Sequence, residues 1–418
     1  MMKFIVRTLS LGAAMAFVAN IASAAELTFA TGWGFDFYTA EIAKFEKLTG
    51  NKVNLIHLPS GDEAKVSQYR LWLAAGDKSI DVLRMDNIWL PGFANNLVDL
   101  TDPTKDVIGE HFPSVVTALS VDGKLLAMPM ESDGALLFYR KDLLEKYGKQ
   151  PPKTWDEMTA TAKEIQDKER AAGNPDMWGY LFQGKGAEEL TCNALEWTNS
   201  SGGGNIVEPD GTISINNAKA AAAIDRAKGW IGTISPPGVP AHDSEASRGI
   251  WQAGNAVFMR NWLYVWGLGN EADSPIKGKF DVVPLPSDPG EKSAPTVGVK
   301  GNAVSIYSEH QKEAIEFVKF LASGEVQKAA VLELGVIPTR PSLFDDKDIV
   351  AAMPFIPTMR GGLEGGLVRP SPIMKTKYNE ASNNFWIAVN NTLAGKGTAA
   401  DNLGQLEVKL TDLKGSGW

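Results

Sequence analysis

Between Glu26 and Asp86 the chain switches four times between the period of a strand and the period of a helix, and few folds accept that rhythm. Leu27 and Phe29 share one side of a short strand over Glu26–Thr31. Tyr38, Ile42, Phe45 and Leu48 follow at helical spacing, and Gly50 closes that helix. Val53, Leu55 and His57 mark a second strand, Asp62–Ala75 a second helix with Gly76 behind it, and Ile80–Met85 a third strand ending at Asp86. A β-α-β-α-β order predicts a parallel sheet with helices on both faces. Ligands of such sheets sit beyond the carboxyl ends of the strands. The segments Thr31–Phe37, Leu58–Asp62 and Asp86–Trp89 therefore form the expected functional edge.

Further on, Thr154 and Glu157 predict a capping box at a helix start, Asn217–Trp230 an Ala-dense helix, and Ser308–Ser323 an amphipathic helix with a second capping box, Ser308 and Gln311. Short strands are expected over Val282–Pro286 and Gly301–Ile306, with Arg248–Arg260 leading into the aromatic cluster Trp262, Tyr264 and Trp266. With 418 residues the chain is long enough for two domains, or one large one with a cleft.

The first 25 residues are of another kind. Lys3 and Arg7 precede a mostly apolar run, Leu9 to Ile21, and Ala22-Ser23-Ala24 has the form of a signal-peptidase site. Residues 1–24 are read as a cleavable secretory signal peptide, and no later apolar run is long enough to span a bilayer. A net charge of −9 argues against nucleic acid and against anionic membranes as partners. Cys192, the only cysteine, has no disulfide partner and is expected as a buried small hydrophobe.

Several chemistries can be set aside. The four histidines, His57, His111, His242 and His310, are scattered, with no metal-ligand spacing, so no metal is expected. Gly32-Trp33-Gly34 follows a strand as a dinucleotide fingerprint would, but Phe37 stands where the third glycine belongs. Gly179 to Lys185 imitates a P-loop, but Gly186 replaces its Ser or Thr. No cofactor is expected. What remains is a pattern of rings beside polar groups: Asp36 among Trp33, Phe35 and Phe37; Asp86 and Asn87 before Trp89; Glu131 and Asp133 after Pro129; Arg260 and Asn261 before Trp262. Sugars present apolar C–H faces that stack on rings, and hydroxyls that pair with charged planar groups. Each residue alone fits a core or a solvated surface; together they point to a carbohydrate cleft.

Over nearly its whole length after the signal peptide, the chain resembles the extracellular solute-binding proteins of ABC sugar importers, in particular the trehalose/maltose-binding group. The likeness is carried by Leu71-Trp72-Leu73-Ala74-Ala75-Gly76, Arg84-Met85-Asp86-Asn87-Ile88-Trp89, Leu137-Phe138-Tyr139-Arg140-Lys141-Asp142, Trp251-Gln252-Ala253-Gly254-Asn255-Ala256 and Arg260-Asn261-Trp262-Leu263-Tyr264, in that order. The resemblance implies an α/β protein with the two-lobed periplasmic-binding-protein fold and a hinged interlobe cleft. Lobe 1 is expected over 25–133 and 285–334, and lobe 2 over 134–284 and 335–418. It implies that Asp86, Asp133 and Arg369 bind sugar hydroxyls, that Trp262 stacks with Tyr264 and Trp266 beside it, and that Asp36, Ser60 and Asp62 lie in contributing loops. The expected function is capture of a disaccharide or similar small glycoside by a periplasmic monomer, which delivers it to an inner-membrane ABC permease.

Two positions depart from the group. Gly298-Val299-Lys300 stands where Gly-Gly-Trp is usual, and Glu131 where one binder has Tyr. Lys300 either faces solvent, pairs with a carboxylate, or recognises an anionic (carboxylated, phosphorylated or sulfonated) glycoside. A competing class is a secreted glycoside-active enzyme using Asp86, Glu131 and Asp133 as acid and base.

Overall fold

A computed structural model describes residues 24–418 except Ser60 and Gly366. The expected signal peptide and Ser60 thus lie outside the described residues, apart from Ala24. The first strands form as their alternation dictates: β1 (Glu26–Thr31), β2 (Lys52–His57) and β3 (Val82–Asp86). Strands β2 and β3 flank β1, both parallel to it. The helix Phe35–Thr49 ends on Gly50 at φ 82°, and Asp62–Ala75 ends on Gly76 at φ 62°, a left-handed conformation in which glycine carries no Cβ penalty. Leu48 does not join the buried stripe of its helix; it is 74% exposed.

After a small hairpin of β4 (Ser120–Val121) and β5 (Lys124–Leu125), the twelve-residue β6 (Met128–Tyr139) organises the rest. The later strands are β7 (Trp178–Leu181), β8 (Ala256–Trp262), β9 (Asp281–Val283), β10 (Thr296–Val304) and β11 (Leu367–Val368). One sheet runs in the order β2-β1-β3-β10-β6-β8-β7, with β11 on β10 and β9 on β6. It is mixed rather than purely parallel, because β10 is antiparallel to both β3 and β6. Strand β6 changes partner along its length: Met128 to Gly134 pair with β10, and Ala135 to Tyr139 pair with β8. At the changeover Gly134 faces Val297, which faces Val368 on its other side, so three passes of the chain lie side by side there.

The strand expected over Gly301–Ile306 begins earlier, at Thr296, since cross-strand pairing overrides Gly298 and Gly301. The second capping box does not form. The helix starts at Gln311 after His310, without a side-chain cap. Ser308 instead bonds the Asp81 carboxylate, and the Gln311 amide donates to the Ile306 carbonyl at 2.8 Å. The box at Thr154 and Glu157 is present as expected.

Beyond the changeover, Trp155, Trp197 and Trp230 are fully buried and pack with Tyr180 and Phe182, ring centroids 5.1 to 6.0 Å apart. Cys192 is buried, and burial pushes its thiol up to about 12. The stretch 340–365 returns to the first half of the sheet. Phe344 meets Phe112 at 5.5 Å, Ser114 donates to the Leu363 carbonyl at 2.8 Å, and Lys328 pairs with Asp346 at 2.9 Å. Among the described residues, no helix is long and apolar enough to cross a membrane.

His111 fastens this return. Its Nδ1 lies 2.7 Å from the Thr339 hydroxyl and the ring is 3% exposed. Burial, with the charge of Arg340 nearby, pushes its pKa down to about 3 from 6.5. The unfolded chain therefore takes up a proton on this residue between those pH values while the native protein does not, and stability falls as pH drops below 6.5. From pH 7.5 to 5.0, urea unfolding of the wild type should lose about 2 kcal/mol relative to His111→Gln, which has no such proton to gain.

Candidate functional site: a charged cleft with a ring on each side

A cavity of about 460 Å³ opens between the two halves of the sheet. Its floor follows from strand register. Residues directly opposite in a sheet point to the same face, as do residues two apart. Asp86 is opposite Lys300, which is opposite Glu131; Arg84 is opposite Asn302, and Asp133 opposite Gly298. One face across β3, β10 and β6 is thus polar.

Burying charge is tolerated only with a partner, and among the described residues each cation lining the cleft has one, the exposed Lys185 included. Arg84 pairs with Glu131, and Lys300 with Asp133. Arg369, just past β11, donates to Asp86 Oδ1 and to Glu188 Oε1, both at 3.0 Å. Lys65 reaches Asp62 at 2.8 Å and Lys185 reaches Asp243 at 3.1 Å. Burial alone would raise the Asp133 carboxyl, but the charges of Lys300 and Arg369 outweigh it and hold the group below the usual carboxylate range. Glu188 and Glu189 go the other way: burial raises both, against the opposing pull of Arg369 on Glu188 and of the Ser244 hydrogen bonds on Glu189.

Two half-buried indoles border the cavity. Trp33 comes from the loop after β1, and Trp262 ends β8. Tyr264 lines it as well and donates to Glu245 at 2.5 Å.

The structure brings together Asp62, Asp86, Glu131, Asp133, Trp262, Tyr264, Lys300 and Arg369 from the residues singled out in the sequence. It does not bring in Asp36 or Trp266. Asp36 is exposed in the first turn of its helix, where an acid suits the helix dipole. Trp266 packs edge-on against Phe280 and Phe355, at 5.2 and 4.6 Å, and donates to the Ala352 carbonyl. Sequence reasoning passed over Arg84, Glu188, Glu189 and Glu245, and it named Trp33 only as a neighbour of Asp36. Arg84 carried a usable signal, since it lies two residues before Asp86 on a strand. Lys300 takes the second of its three open readings, pairing with a carboxylate.

Gly298 lets the two sides meet. A Cβ there would collide with Asp133 Oδ1 and crowd Arg369, and the Gly298 N–H donates to that same oxygen at 3.0 Å. Gly298→Ala should therefore cost about 1–3 kcal/mol in urea unfolding, the usual range for overpacking.

The family model for bacterial extracellular solute-binding proteins matches residues 35–328. The chain is 41% identical over 415 residues to a probable ABC transporter-binding protein of Deinococcus radiodurans, covering 98% of each. It is 26% identical over 348 residues to the arabinooligosaccharide-binding protein of Bacillus subtilis, covering 78% of this chain and 75% of that one. Among solved structures, maltose-bound MalE3 of T. maritima superposes with a TM-score of 0.87 at 33% identity, covering 93% of this chain and 100% of that one. The chain belongs to the bacterial extracellular solute-binding proteins, a two-lobed α/β protein that binds its solute and is not an enzyme.

Proposed function

We propose that the protein captures a small uncharged glycoside, a disaccharide or similar, between its lobes and delivers it to an inner-membrane ABC permease. The observation that carries this reading is the pairing of two indoles, Trp33 and Trp262, with buried carboxylates and a guanidinium along one cavity. The rings offer apolar faces for sugar C–H groups, while Asp86, Asp133 and Arg369 offer charge-assisted hydrogen bonds to hydroxyls. Tyr264, Glu131 and Asp62 shape the rim. The relatives named for maltose and for arabino-oligosaccharide support a saccharide as ligand. The trehalose/maltose group is the finer assignment offered here, with export to the periplasm through residues 1–24 and action as a monomer.

The charge ledger disfavours an anionic glycoside. Among the described residues, nine carboxylate residues and five cationic ones line the cavity, and all five cations are already paired with acids. A phosphate or carboxylate would enter a field of its own sign with no free cation to meet it.

Closure follows from three adjacent crossings. We assign them to Asp133/Gly134, to Thr296/Val297 and to the approach to Leu367, where β6, β10 and β11 lie side by side. The boundaries expected near Pro284 and Leu334 move accordingly. Asp288 pairs with Arg226 in the second half, and 340–365 packs on the first. A solute touching both lobes then favours the closed form through its differential affinity.

Titration calorimetry with maltose and trehalose, beside glucuronides and sugar phosphates, tests the reading. At least one neutral saccharide should bind and contract the scattering profile, and the anionic sugars should give no heat. Trp262→Ala should weaken that binding at least tenfold, about 1.4 kcal/mol. A scattering profile and a calorimeter trace unmoved by every neutral saccharide would overturn the proposal.

A further inference from the structure

The two cleft tryptophans share an arrangement that solute contact alone does not require. Each has a buried arginine over its ring, and each arginine is neutralised by a buried glutamate from a different segment. Arg260, two residues before Trp262 on β8 and therefore on the same face, places its guanidinium carbon 4.0 Å from the Trp262 ring centre. It is fully buried. Its Nε and Nη2 donate to Glu196 at 2.8 and 2.5 Å, and its Nη1 donates to Gln183 at 2.9 Å. Arg84 on β3 lies 5.4 Å from the Trp33 ring centre and pairs with Glu131 of β6. Glu196 and Glu131 are 1% and 3% exposed.

We infer that Arg260 and Arg84 are positioning residues for the rings, a role that rests on the saccharide reading above. The Arg260 guanidinium, held by hydrogen bonds from all three of its nitrogens, cannot rotate freely, so the Trp262 ring lying against it keeps one plane, while Arg84 is held beside Trp33 by its single buried ion pair with Glu131. The covered face of that ring is closed to a ligand, and stacking is confined to the other. Replacing either glutamate would strand a buried cation, so the support is held in place by the same electrostatic cost that fixes the fold. On the second wall the support also reaches the crossing. Glu196 accepts the Thr296 N–H at 3.2 Å, one residue before Val297 meets Gly134. The plane of Trp262 and the start of β10 are thus referred to one carboxylate.

Arg260→Lys keeps the charge but loses the planar fork. The test uses the mature full-length chain labelled with 5-fluorotryptophan, the Trp262 resonance being assigned by its loss in Trp262→Phe. In Arg260→Lys that resonance should shift or broaden without any ligand present. Binding of maltose or trehalose, whichever the wild type takes, should weaken at least tenfold, and this loss should vanish when the same change is made in Trp262→Ala. An unmoved Trp262 resonance overturns the inference, and so does a tenfold loss that persists without the ring. If the wild type binds neither sugar, the trehalose/maltose assignment fails while the fluorine spectrum still decides on positioning. Should Arg260→Lys not fold, Arg84→Lys is read through the Trp33 resonance, assigned by its loss in Trp33→Phe: movement supports the inference and stillness overturns it.

Discussion

A buried or half-buried cation needs an acid, and here the acid regularly arrives from another part of the chain. Arg84 of β3 takes Glu131 of β6; Lys300 of β10 takes Asp133 of β6; Arg369 after β11 takes Asp86 of β3; Arg260 of β8 takes Glu196 from the helix Glu188–Asn199. Such pairs add little net stability, because desolvation cancels much of their attraction, but breaking one costs several kcal/mol. They therefore act mainly on specificity. A slip of β10 by one residue would turn Lys300 to the opposite face and leave Asp133 without its cation. Register, crossing strands and cleft floor are in this sense one solution to one electrostatic problem.

That solution explains why the site sits where the sheet changes hands. Strand β6 belongs to both halves, and its charged residues Glu131 and Asp133 lie just before the changeover at Gly134. Gly298, across from Asp133, has no side chain to hold the strands apart. A glycine at that position leaves room for the Asp133 carboxylate to receive the backbone N–H of Gly298 and the ammonium of Lys300 together. The charged groups of the cleft floor are thus anchored on the strands that pass between the halves.

The sequence was most legible where structure is local. Period, capping residue and terminal glycine placed the helix Asp62–Ala75 without error, and Thr154 with Glu157 announced the start of Trp155–Ala171. Legibility failed where a distant residue outbids a local one. Ser308 has the spacing of a cap but serves Asp81, more than two hundred residues earlier. Thr296–Lys300 contains a glycine that reads as a breaker, yet pairing on both sides makes it strand. In the site, family resemblance pointed to Asp86, Asp133, Trp262 and Arg369, all of which line the cavity. It placed Trp266 beside Trp262, but Trp266 lies on the helix Tyr264–Gly269 and packs against Phe280 and Phe355. Glu188 and Glu189 open a helix with nothing in their spacing to mark them, and their significance comes from Arg369 and Ser244, which are remote in sequence.

Lys300 shows how one substitution redistributes a binding site. Where the resembling group carries a ring, this chain carries an ammonium whose charge is spent on Asp133. The change removes an apolar face from the floor and occupies one carboxylate oxygen, while Gly298 N–H occupies the other. A carboxylate has about four lone-pair sites, so Asp133 can still accept from a solute hydroxyl, but at angles its two existing donors permit. In the proposed binding mode the apolar share of recognition then falls on Trp33 and Trp262, which both line the cavity. On the proposed saccharide reading, a solute that fills this cleft presents an apolar face to each wall and its hydroxyls to the floor between them. Its size is set by the distance across the closed lobes, and its charge by a floor whose cations are already engaged.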